Sequence, residues 1–403
     1  MKNFEIKPAV RTENITYAVR DIVVLANEVA KSGKEMLYLN IGDPPQSDFA
    51  PPKHMIDATY DAMLKNYNGY SSSSGIKEAL DAIGAEADKK GIKNVNDIFI
   101  TTGASEAIDV CLTALVDDGE NVLTPTPGYP LYTAISSKLQ MMENPYYLDE
   151  GNGWQPDIED IKSKINDKTK AIILINPNNP TGSNAAEETL RQIIDIALEY
   201  NLVIFADEIY DKLLMDGQKH ISIASLNKDV PCITFGGLSK NYMVPGWRIG
   251  WGIVSGDKAR LENYIEAINK LLRARLCANH PEQYAIAPAL TGDQSHITEA
   301  IEKLTRRRDM TFEMLNSVPG LSCVKPGGAF YAFPKLEIKN SDNHFVAELI
   351  KETGVVVVPG TGFGQVPGTN HFRVVFLPTE EILEKAYKNI VDFLQKYMDK
   401  FEN

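Results

Sequence analysis

The sequence predicts an α/β fold, with a large domain built on a mostly parallel sheet sandwiched by helices and a smaller α+β domain. From about residue 95 to residue 255, short β-rich runs alternate with amphipathic helical stretches. The runs are continuously apolar instead of alternating, which is typical of strands covered on both faces. After a long helical stretch from Lys258 to Asn279, the pattern changes to helices and then to short strands separated by glycine and proline.

The elements of the two domains follow in order along the chain. The strand-like runs of the large domain are "DIFITT", "NVLTPTP", "AIILINP", "LVIFAD", "CITFGGLS" and "RIGWGIV". The helix after "AIILINP" places four apolar residues on one face, Leu190, Ile193, Ile194 and Ala197. The strands "GGAFYAFP", "GVVVVPG" and "HFRVVFLP" and a final helix belong to the second domain. We therefore assign residues 50–285 to the large domain and residues 1–49 with 286–403 to the small domain.

Composition and charge argue against nucleic acid as a partner. The 403 residues include 41 basic and 54 acidic side chains, which gives a net charge of −13. Such a field repels a polyanion, so binding to a phosphate backbone is not expected. The densest basic block, Arg306 to Arg308, is expected to form a solvated face or to pair with acidic neighbours.

The sequence also indicates a cytoplasmic protein. The N-terminal segment has no apolar signal core, and nowhere do eighteen apolar residues run together, so no membrane association is expected. The four cysteines, Cys111, Cys232, Cys277 and Cys323, are scattered and form no C-x-x-C pair. The six histidines show no H-E-x-x-H spacing. We expect buried thiols in a reducing compartment, with no disulfide frame and no metal site.

Polar residues follow the strands of the predicted sheet, at the edge where α/β proteins bind ligands. Gly103, Ala104 and Ser105 stand where a strand turns into a helix, and a helix start favours an anion, although an ordinary helix cap has the same residues. No G-x-x-x-x-G-K-[ST] or G-x-G-x-x-G motif is present, so a nucleotide is not indicated. A smaller phosphate ligand is the alternative, with Ser239 and Arg248 as further donors.

Five other side chains at this edge have a possible chemical role. Lys240 in "GGLSKNYMVPGWRIGW" ends a buried-looking strand, although an unpaired buried lysine is costly. Asp207 also ends an apolar run, either as a salt-bridge partner or helix cap, or as a carboxylate that holds a proton on a heteroaromatic nitrogen. Asn179 and Tyr210 could each hydrogen-bond a phenolic oxygen. Tyr129 could stack on an aromatic face or be an ordinary core or surface tyrosine.

A phosphate, a protonated ring nitrogen, a phenolic oxygen and a lysine made nucleophilic by desolvation together describe pyridoxal phosphate (PLP). From about Tyr17 to the C-terminal helix, the chain resembles the class I/II aminotransferases of the fold type I PLP-dependent enzymes. The motifs that carry the resemblance occur in family order and are "NIGDP", "NGYSSSSG", "TTGASEA", "PTPGYPLY", "NPNNPTG", "DEIYD", "GLSKNYMVPGWRIGW" and "HFRVVFLP". The resemblance implies that the large sheet has seven strands.

The resemblance also implies a role for each residue of the cofactor site. Lys240 is expected to form an imine with PLP and then to transfer the substrate proton, and Asp207 is expected to pair with the pyridinium nitrogen. The resemblance further implies that Asn179 and Tyr210 bind the phenolic oxygen and that Tyr129 stacks on the ring. The phosphate is expected to be bound by Ala104, Ser105, Ser239 and Arg248. Many relatives have a serine three residues before the lysine, where this chain has Gly237. One phosphate donor is therefore lost or replaced by another group.

The substrate and a second subunit complete the implied site. Arg373 is expected to bind the α-carboxylate of the substrate, helped by Gly42 and Asn179. Tyr70 is expected to reach the phosphate of the neighbouring subunit, which implies a homodimer with shared active sites. Within the family, "GLSK", "RLCANHPEQYAIAPALTG" and "KPGGAFYAFPK" are most similar to alanine aminotransferases. In that branch Tyr17 and Arg20 shape the side-chain pocket, the alternative being an exposed helix start.

These similarities predict transfer of the amino group of alanine to 2-oxoglutarate, so that the small-molecule partners are amino acids and 2-oxo acids. The alternatives are another reaction of the same cofactor, namely transamination of aspartate or aromatic amino acids, or a C–S β-lyase. A PLP-sensing transcription regulator on the same domain is a further alternative. The negative charge argues against the regulator, as does the lack of a basic helix-turn-helix segment before Tyr17.

Overall fold

The computed structural model of the protein describes residues 6–13, 15 and 18–402, and of residues 18–21 and 402 it describes the backbone alone. The strands, numbered in chain order, are β1 (Leu37–Tyr38), β2 (Val95–Thr102), β3 (Asn121–Thr126), β4 (Met142–Asp149), β5 (Gln155–Pro156), β6 (Thr169–Ile175), β7 (Val203–Asp207), β8 (Cys232–Gly237), β9 (Ile249–Ser255), β10 (Leu321–Ser322), β11 (Tyr331–Ala332), β12 (Lys335–Leu336), β13 (Val355–Val356), β14 (Val358–Pro359) and β15 (Asn370–Val375).

The α-helices are α1 (Ala18–Ala30), α2 (Lys53–Leu64), α3 (Lys77–Lys89), α4 (Ala104–Leu115), α5 (Pro130–Lys138), α6 (Ile158–Lys164), α7 (Glu187–Glu199), α8 (Ile223–Leu226), α9 (Lys258–Ala274), α10 (His280–Gln283), α11 (Ile286–Thr291), α12 (Ser295–Leu315), α13 (Asp342–Thr353) and α14 (Glu380–Tyr397). Short 3-10 turns occur at Val10–Thr12, Pro44–Gln46, Glu150–Asn152, Pro245–Trp247 and Gly360–Phe363, and a π-helical turn at Met398–Glu402. In the part of the chain that the structure describes, no helix has both the length and the apolar character needed to cross a membrane.

The large sheet is mostly parallel, as the sequence predicts. Its strand order is β2-β9-β8-β7-β6-β3-β4-β5. Strands β8, β7, β6, β3 and β4 run parallel, and β9 is antiparallel to both of its neighbours. Seven long strands match the expected number, and the two-residue β5 adds an eighth, antiparallel strand at the edge. The polar turns after β2, β3, β6, β7 and β8 therefore lie along one edge of the sheet.

Helices cover both faces of this sheet, which explains the continuously apolar strands. In β6, Ile172 and Leu174 belong to the core shared with α3 and α7, whereas Ala171, Ile173 and Ile175 belong to the core shared with α4 and α9. Successive side chains of a strand point to opposite faces, so a strand buried on both sides has no polar position. The apolar runs of the sequence therefore correctly predict strands of this kind.

A second sheet contains the C-terminal strands. Its order is β10-β12-β15-β11, with β14 also paired to β15, and β1 forms a separate parallel pair with β13. Helices α12, α13 and α14 pack around these strands in one hydrophobic core. The central strand β15 carries Arg373, whose side chain is buried. The fold thus brings a cation from the C-terminal part of the chain towards the large sheet.

The basic block on α12 is partly buried and pairs with acidic residues. Arg307 and Arg308 are almost fully buried, so the expectation of a solvated face is wrong for these two residues. Arg308 forms two hydrogen bonds with the Asp216 carboxylate, at 2.7 and 2.9 Å, and Arg307 contacts Asp48 at 2.8 Å. The alternative expectation, pairing with acidic neighbours, describes them correctly.

Candidate active site

One cavity at the polar edge of the large sheet contains most of the residues singled out in the sequence. The cavity has a volume of about 190 Å³. Its lining includes eleven of those residues, Gly42, Ala104, Ser105, Tyr129, Asn179, Asp207, Tyr210, Ser239, Lys240, Arg248 and Arg373. It also includes Tyr331, which sequence reasoning did not identify. The residues come from both parts of the chain because Tyr331 of β11 and Arg373 of β15 reach Tyr210 and Asn179, which follow strands of the large sheet.

One end of the cavity is suited to an anion. Helix α4 begins at Ala104, and the first N–H groups of a helix have no partner within that helix. The guanidinium of Arg248 donates a hydrogen bond to Ser105 Oγ at 3.1 Å and another to the Pro245 carbonyl at 2.9 Å. Ser239 is buried beside them. A helix start, two hydroxyl groups and a guanidinium together provide the donor geometry that phosphate oxygens require.

Two glycines allow the close packing on which this end of the cavity depends. Gly103 has a φ of +79°, and a Cβ there would lie 2.3 Å from Arg248 Nη2. A Cβ at Gly250 would lie 2.2 Å from the backbone nitrogen of Ala104. Any side chain at these positions would push Arg248 or the start of α4 away. The glycines therefore fix the distance between the helix start and the guanidinium.

Gly237 is also a position of close packing. A Cβ at Gly237 would lie 2.9 Å from the carbonyl oxygen of Ile249 and 3.1 Å from Ile209 Cδ1. Gly237 does not line the cavity that the described residues form, whereas Ser239 does. A serine at position 237 would thus have to displace the neighbouring strand. This crowding gives a physical reason for glycine where many relatives have serine.

Asp207 is the last residue of β7 and is 4% exposed. Its carboxylate accepts a hydrogen bond from the Tyr132 hydroxyl at 3.1 Å and one from the Ile209 amide at 3.4 Å. Burial raises the pKa of Asp207 to about 6, because these two donors and the amine of Lys240 offset only part of the desolvation. A buried carboxylate whose pKa is raised by desolvation is stabilised by a cation placed against it.

Lys240 lies at the centre of the cavity, three residues after β8. Its ammonium donates a hydrogen bond to the Gly42 carbonyl at 2.7 Å. Burial lowers the pKa of Lys240 to about 8; Asp43 and Asp207 oppose the shift, and the positive charges of Arg373 and Arg248 add to it. A lysine with such a pKa is partly neutral at physiological pH and can act as a nucleophile or as a base.

Tyr210 and Tyr331 form a hydroxyl pair at the cavity wall. Their Oη atoms are 2.9 Å apart, and their rings meet edge to face at 90°. The ring of Phe330 packs against Tyr210 in the same way, with centroids 5.5 Å apart. Burial raises the pKa of Tyr210 well above its usual value, so this phenol stays protonated and can donate a hydrogen bond.

Arg373 is the second arginine of the cavity lining. Its guanidinium donates to Asn179 Oδ1 at 3.0 Å and to the Asn40 carbonyl at 2.5 Å. It lies 4.7 Å from the centroid of the Tyr331 ring and 4.6 Å from that of Phe363. Contacts on both sides hold the planar guanidinium in one orientation, as two-point binding of a carboxylate requires.

Three predicted site residues are not part of this geometry. Tyr70 lies on the loop between α2 and α3, is 80% exposed and does not line the cavity. Tyr17 and the side chain of Arg20 lie outside the described residues. Two residues that the sequence did not single out, Tyr132 and Tyr331, contact Asp207 and Tyr210. Tyr132 is the last residue of the motif "PTPGYPLY", but only the first turn of α5 shows that this tyrosine, and not Tyr129, reaches the carboxylate.

Comparison with known proteins identifies relatives over nearly the full length. The profile of the family described as "Aminotransferase class I and II" matches residues 34–390. A glutamate-pyruvate aminotransferase of Haemophilus influenzae is 42% identical over 96% of this chain and 98% of its own length. An alanine aminotransferase of Mycobacterium tuberculosis is 41% identical over 96% of this chain and 92% of its own length.

Solved structures of aminotransferases also superimpose on nearly the whole chain. An alanine aminotransferase from Pyrococcus furiosus superimposes with a TM-score of 0.93 at 41% identity, covering 97% of this chain and 100% of that chain. An aspartate aminotransferase from Rhizobium meliloti superimposes with a TM-score of 0.89 at 27% identity and covers 97% of this chain and 99% of its own.

Proposed function

Because the chain belongs to the class I and II aminotransferases, we propose that it transfers the amino group of alanine to 2-oxoglutarate with PLP as cofactor. The products are pyruvate and glutamate. The observation that carries the proposal is the position of Lys240, which is partly buried and has a pKa lowered to about 8, in the same cavity as the Arg248 and Arg373 guanidiniums. The names of relatives at 41–42% identity support alanine as the amino donor.

The residues of the cavity fit PLP. The donors at the start of α4 and Arg248 match a phosphate group, and they can lie this close together because Gly103 and Gly250 have no side chain. The buried carboxylate of Asp207, with its pKa raised to about 6, matches a cationic ring nitrogen. The protonated phenol of Tyr210 matches a phenolic oxygen. Each polar group of the cofactor therefore finds a side chain of complementary chemistry.

We assign the cofactor contacts accordingly. When bound, PLP supplies an electron sink that stabilises the carbanion formed at the α-carbon of an amino acid. Asp207 keeps the ring nitrogen protonated by its negative charge. The phosphate is assigned to Ala104, Ser105, Ser239 and Arg248. The phenolic oxygen is assigned to Asn179 and Tyr210, and the ring face to Tyr129.

Lys240 moves the proton in this proposal. Its neutral amine would take the α-proton of the substrate as a general base, and its ammonium would then return a proton to the cofactor carbon as a general acid. A pKa near the working pH makes both transfers possible, and such a group typically contributes about 10²- to 10⁴-fold in rate. The Gly42 carbonyl, 2.7 Å from Nζ, holds the ammonium in place between the two transfers.

The substrate carboxylate binds at the second arginine of the cavity. Arg373 takes it with two parallel hydrogen bonds, and Asn179 and Gly42 complete the contact. Amino acids and 2-oxo acids use the same arginine in turn, so the two half-reactions follow a ping-pong sequence. For the side-chain pocket we keep Tyr17 and Arg20 as the candidates, on the resemblance alone.

We further propose a cytoplasmic homodimer with shared active sites. An exposed apolar face on α2 and the loop after it supports a second copy as partner, because Tyr60 is 60%, Leu64 66% and Tyr70 80% exposed. Tyr70 would contact the phosphate in the partner. The cysteines are free thiols, which fits a reducing compartment. The division into a large domain of residues 50–285 and a small domain of 1–49 with 286–403 remains our proposal.

A panel of amino donors and 2-oxo acid acceptors tests the substrate assignment. With 2-oxoglutarate as acceptor, alanine should give a higher kcat/KM than aspartate or tyrosine. A preference for either of those donors would contradict the alanine assignment and leave the cofactor chemistry intact. Steady release of pyruvate and ammonia from cystathionine without an oxo acid would instead indicate a C–S β-lyase.

A further inference from the structure

A buried ion cluster connects the two segments that carry Asp207 and Lys240. Lys90 follows the last residue of α3, and its Nζ lies 3.1 Å from Glu208 Oε2 and 2.5 Å from Asp211 Oδ2. Asp211 Oδ1 in turn accepts a hydrogen bond of 2.6 Å from Asn241 Nδ2. Glu208 is the neighbour of Asp207 in the chain, and Asn241 is the neighbour of Lys240. The Lys90 ammonium thus holds the segment after Asp207 at two carboxylates, and Asp211 links that segment to the one that carries Lys240.

The members of the cluster are charged and largely buried. The side chains of Glu208 and Asp211 are 2% and 8% exposed, and that of Lys90 is 20% exposed. Burial acts to raise the pKa of both carboxyls, but Lys90 and His220 outweigh it, so the pKa of Glu208 is lowered. The pKa of Asp211 falls to about 2, with a smaller contribution from the charge of Lys212. Burial acts against the ammonium of Lys90 as well, yet the two carboxylates hold its pKa above the usual value. The cluster therefore resists rearrangement, because moving one charge leaves another buried without its partner.

We propose that Lys90 is a positioning residue for transamination. It holds Glu208 and Asp211 in place, Asp211 holds Asn241, and together these contacts set the position of the Lys240 amine relative to the Asp207 carboxylate. The inference rests on the proposed function, since the distance between these two groups matters only if both act on one cofactor. Side chains that act on a common ligand are held by contacts behind them, and a displacement of about 1 Å can cost about 100-fold in rate.

The test is the variant Lys90→Met, which keeps the length of the side chain and removes its charge. We expect kcat to fall by about 10- to 100-fold, with the KM values for alanine and 2-oxoglutarate changing much less, because Arg373 is not part of the cluster. The pH midpoint of the visible absorption band of the holoenzyme should also move away from the wild-type value. Lys90→Arg should restore both quantities towards wild type, since a guanidinium can pair with both carboxylates.

Lys212→Met is the matched control. Lys212 is the neighbour of Asp211 and also ties this segment to α3, but it pairs with Glu86 at 2.5 Å. We expect the control to keep the wild-type kcat and absorption midpoint. If kcat falls as much in Lys212→Met as in Lys90→Met, the effect is a general loosening of the contact with α3, and the proposal is overturned.

Asn241→Ala provides a second route if Lys90→Met does not fold. This change removes the 2.6 Å hydrogen bond and leaves the ion pairs with Lys90 in place. A lowered kcat with a shifted absorption midpoint supports the proposal, and unchanged values in the folded variant overturn it. Wild-type protein without transaminase activity in the same assay would contradict the proposed function instead.

Discussion

The rate at which the cofactor-free protein captures PLP should follow a titration centred near pH 8. Lys240 must be neutral to attack the aldehyde of the cofactor, and an ordinary lysine has a pKa of 10.5. Burial in the cavity lowers the pKa of Lys240 to about 8, and the positive charges of Arg373 and Arg248 contribute to the shift. Replacing Asp43 by Asn should lower the midpoint further, because this carboxylate raises the pKa of Lys240.

The size of the effect follows from the two pKa values. At about pH 7.5, about a quarter of the Lys240 amines are neutral if the pKa is about 8, against about one in a thousand at 10.5. The population of the reactive form is therefore about 200-fold larger than for a solvated lysine. This gain needs no contact with the cofactor, since the environment of the amine alone produces it.

The assay is stopped-flow absorbance after mixing cofactor-free protein with excess PLP between about pH 6 and pH 11. Nα-acetyl-lysine in place of the protein, with its rate constant divided by the neutral fraction of its own amine, corrects for the titration of PLP itself. The corrected rate constant should rise with pH and level off above about pH 8. A rate that keeps rising to a midpoint near 10.5, the value of an ordinary lysine, would refute the argument that burial activates the amine.

Three further predictions concern single substitutions. Asp207→Ala removes a charge-assisted hydrogen bond worth about 1.5–3 kcal/mol, so the Kd for PLP should rise about 10- to 150-fold in a fluorescence titration; an unchanged Kd would make Asp207 a structural residue. Arg373→Leu should raise the KM values of alanine, glutamate and both oxo acids together by about 10-fold or more while PLP content stays normal, and a loss confined to one substrate pair would place Arg373 at the side chain instead. Gly237→Ser should lower the free energy of unfolding by about 1–3 kcal/mol in urea, because its Cβ would lie 2.9 Å from the Ile249 carbonyl oxygen. Tighter PLP binding at unchanged stability would show that the serine fits.

The large sheet and its polar edge could be predicted because their signals are local. Each strand needs an apolar run, and each polar turn comes directly after such a run in the chain. Tyr331 could not be found in this way. Its hydroxyl meets that of Tyr210 across 121 positions of sequence, and the pairing depends on how β11, which begins at Tyr331, packs against the segment after β7. Its position in "GGAFYAFP" carries no sign of that contact.

The ion cluster around Lys90 was missed for a different physical reason. A lysine at the end of a surface helix is ordinarily solvated, and nothing near Lys90 in the sequence "EADKKGIKN" distinguishes it from Lys89. The structure separates the two residues, since the side chain of Lys89 is 61% exposed and that of Lys90 is 20% exposed. Burial at a helix end depends on what packs against it, which is information from distant parts of the chain.

Burial shifts the pKa values of Asp207 and Lys240 in opposite directions. The two arginines make the pKa of Lys240 responsive to ligands. Desolvation raises the pKa of the carboxyl to about 6 and lowers that of the amine to about 8, so both groups titrate close to neutral pH. Arg373 and Arg248 lower the pKa of Lys240 by their positive charge. An anion bound to either guanidinium offsets that charge and raises the proton affinity of the amine. In the proposed reaction, a substrate carboxylate bound at Arg373 would therefore make Lys240 a stronger base when the α-proton has to be removed.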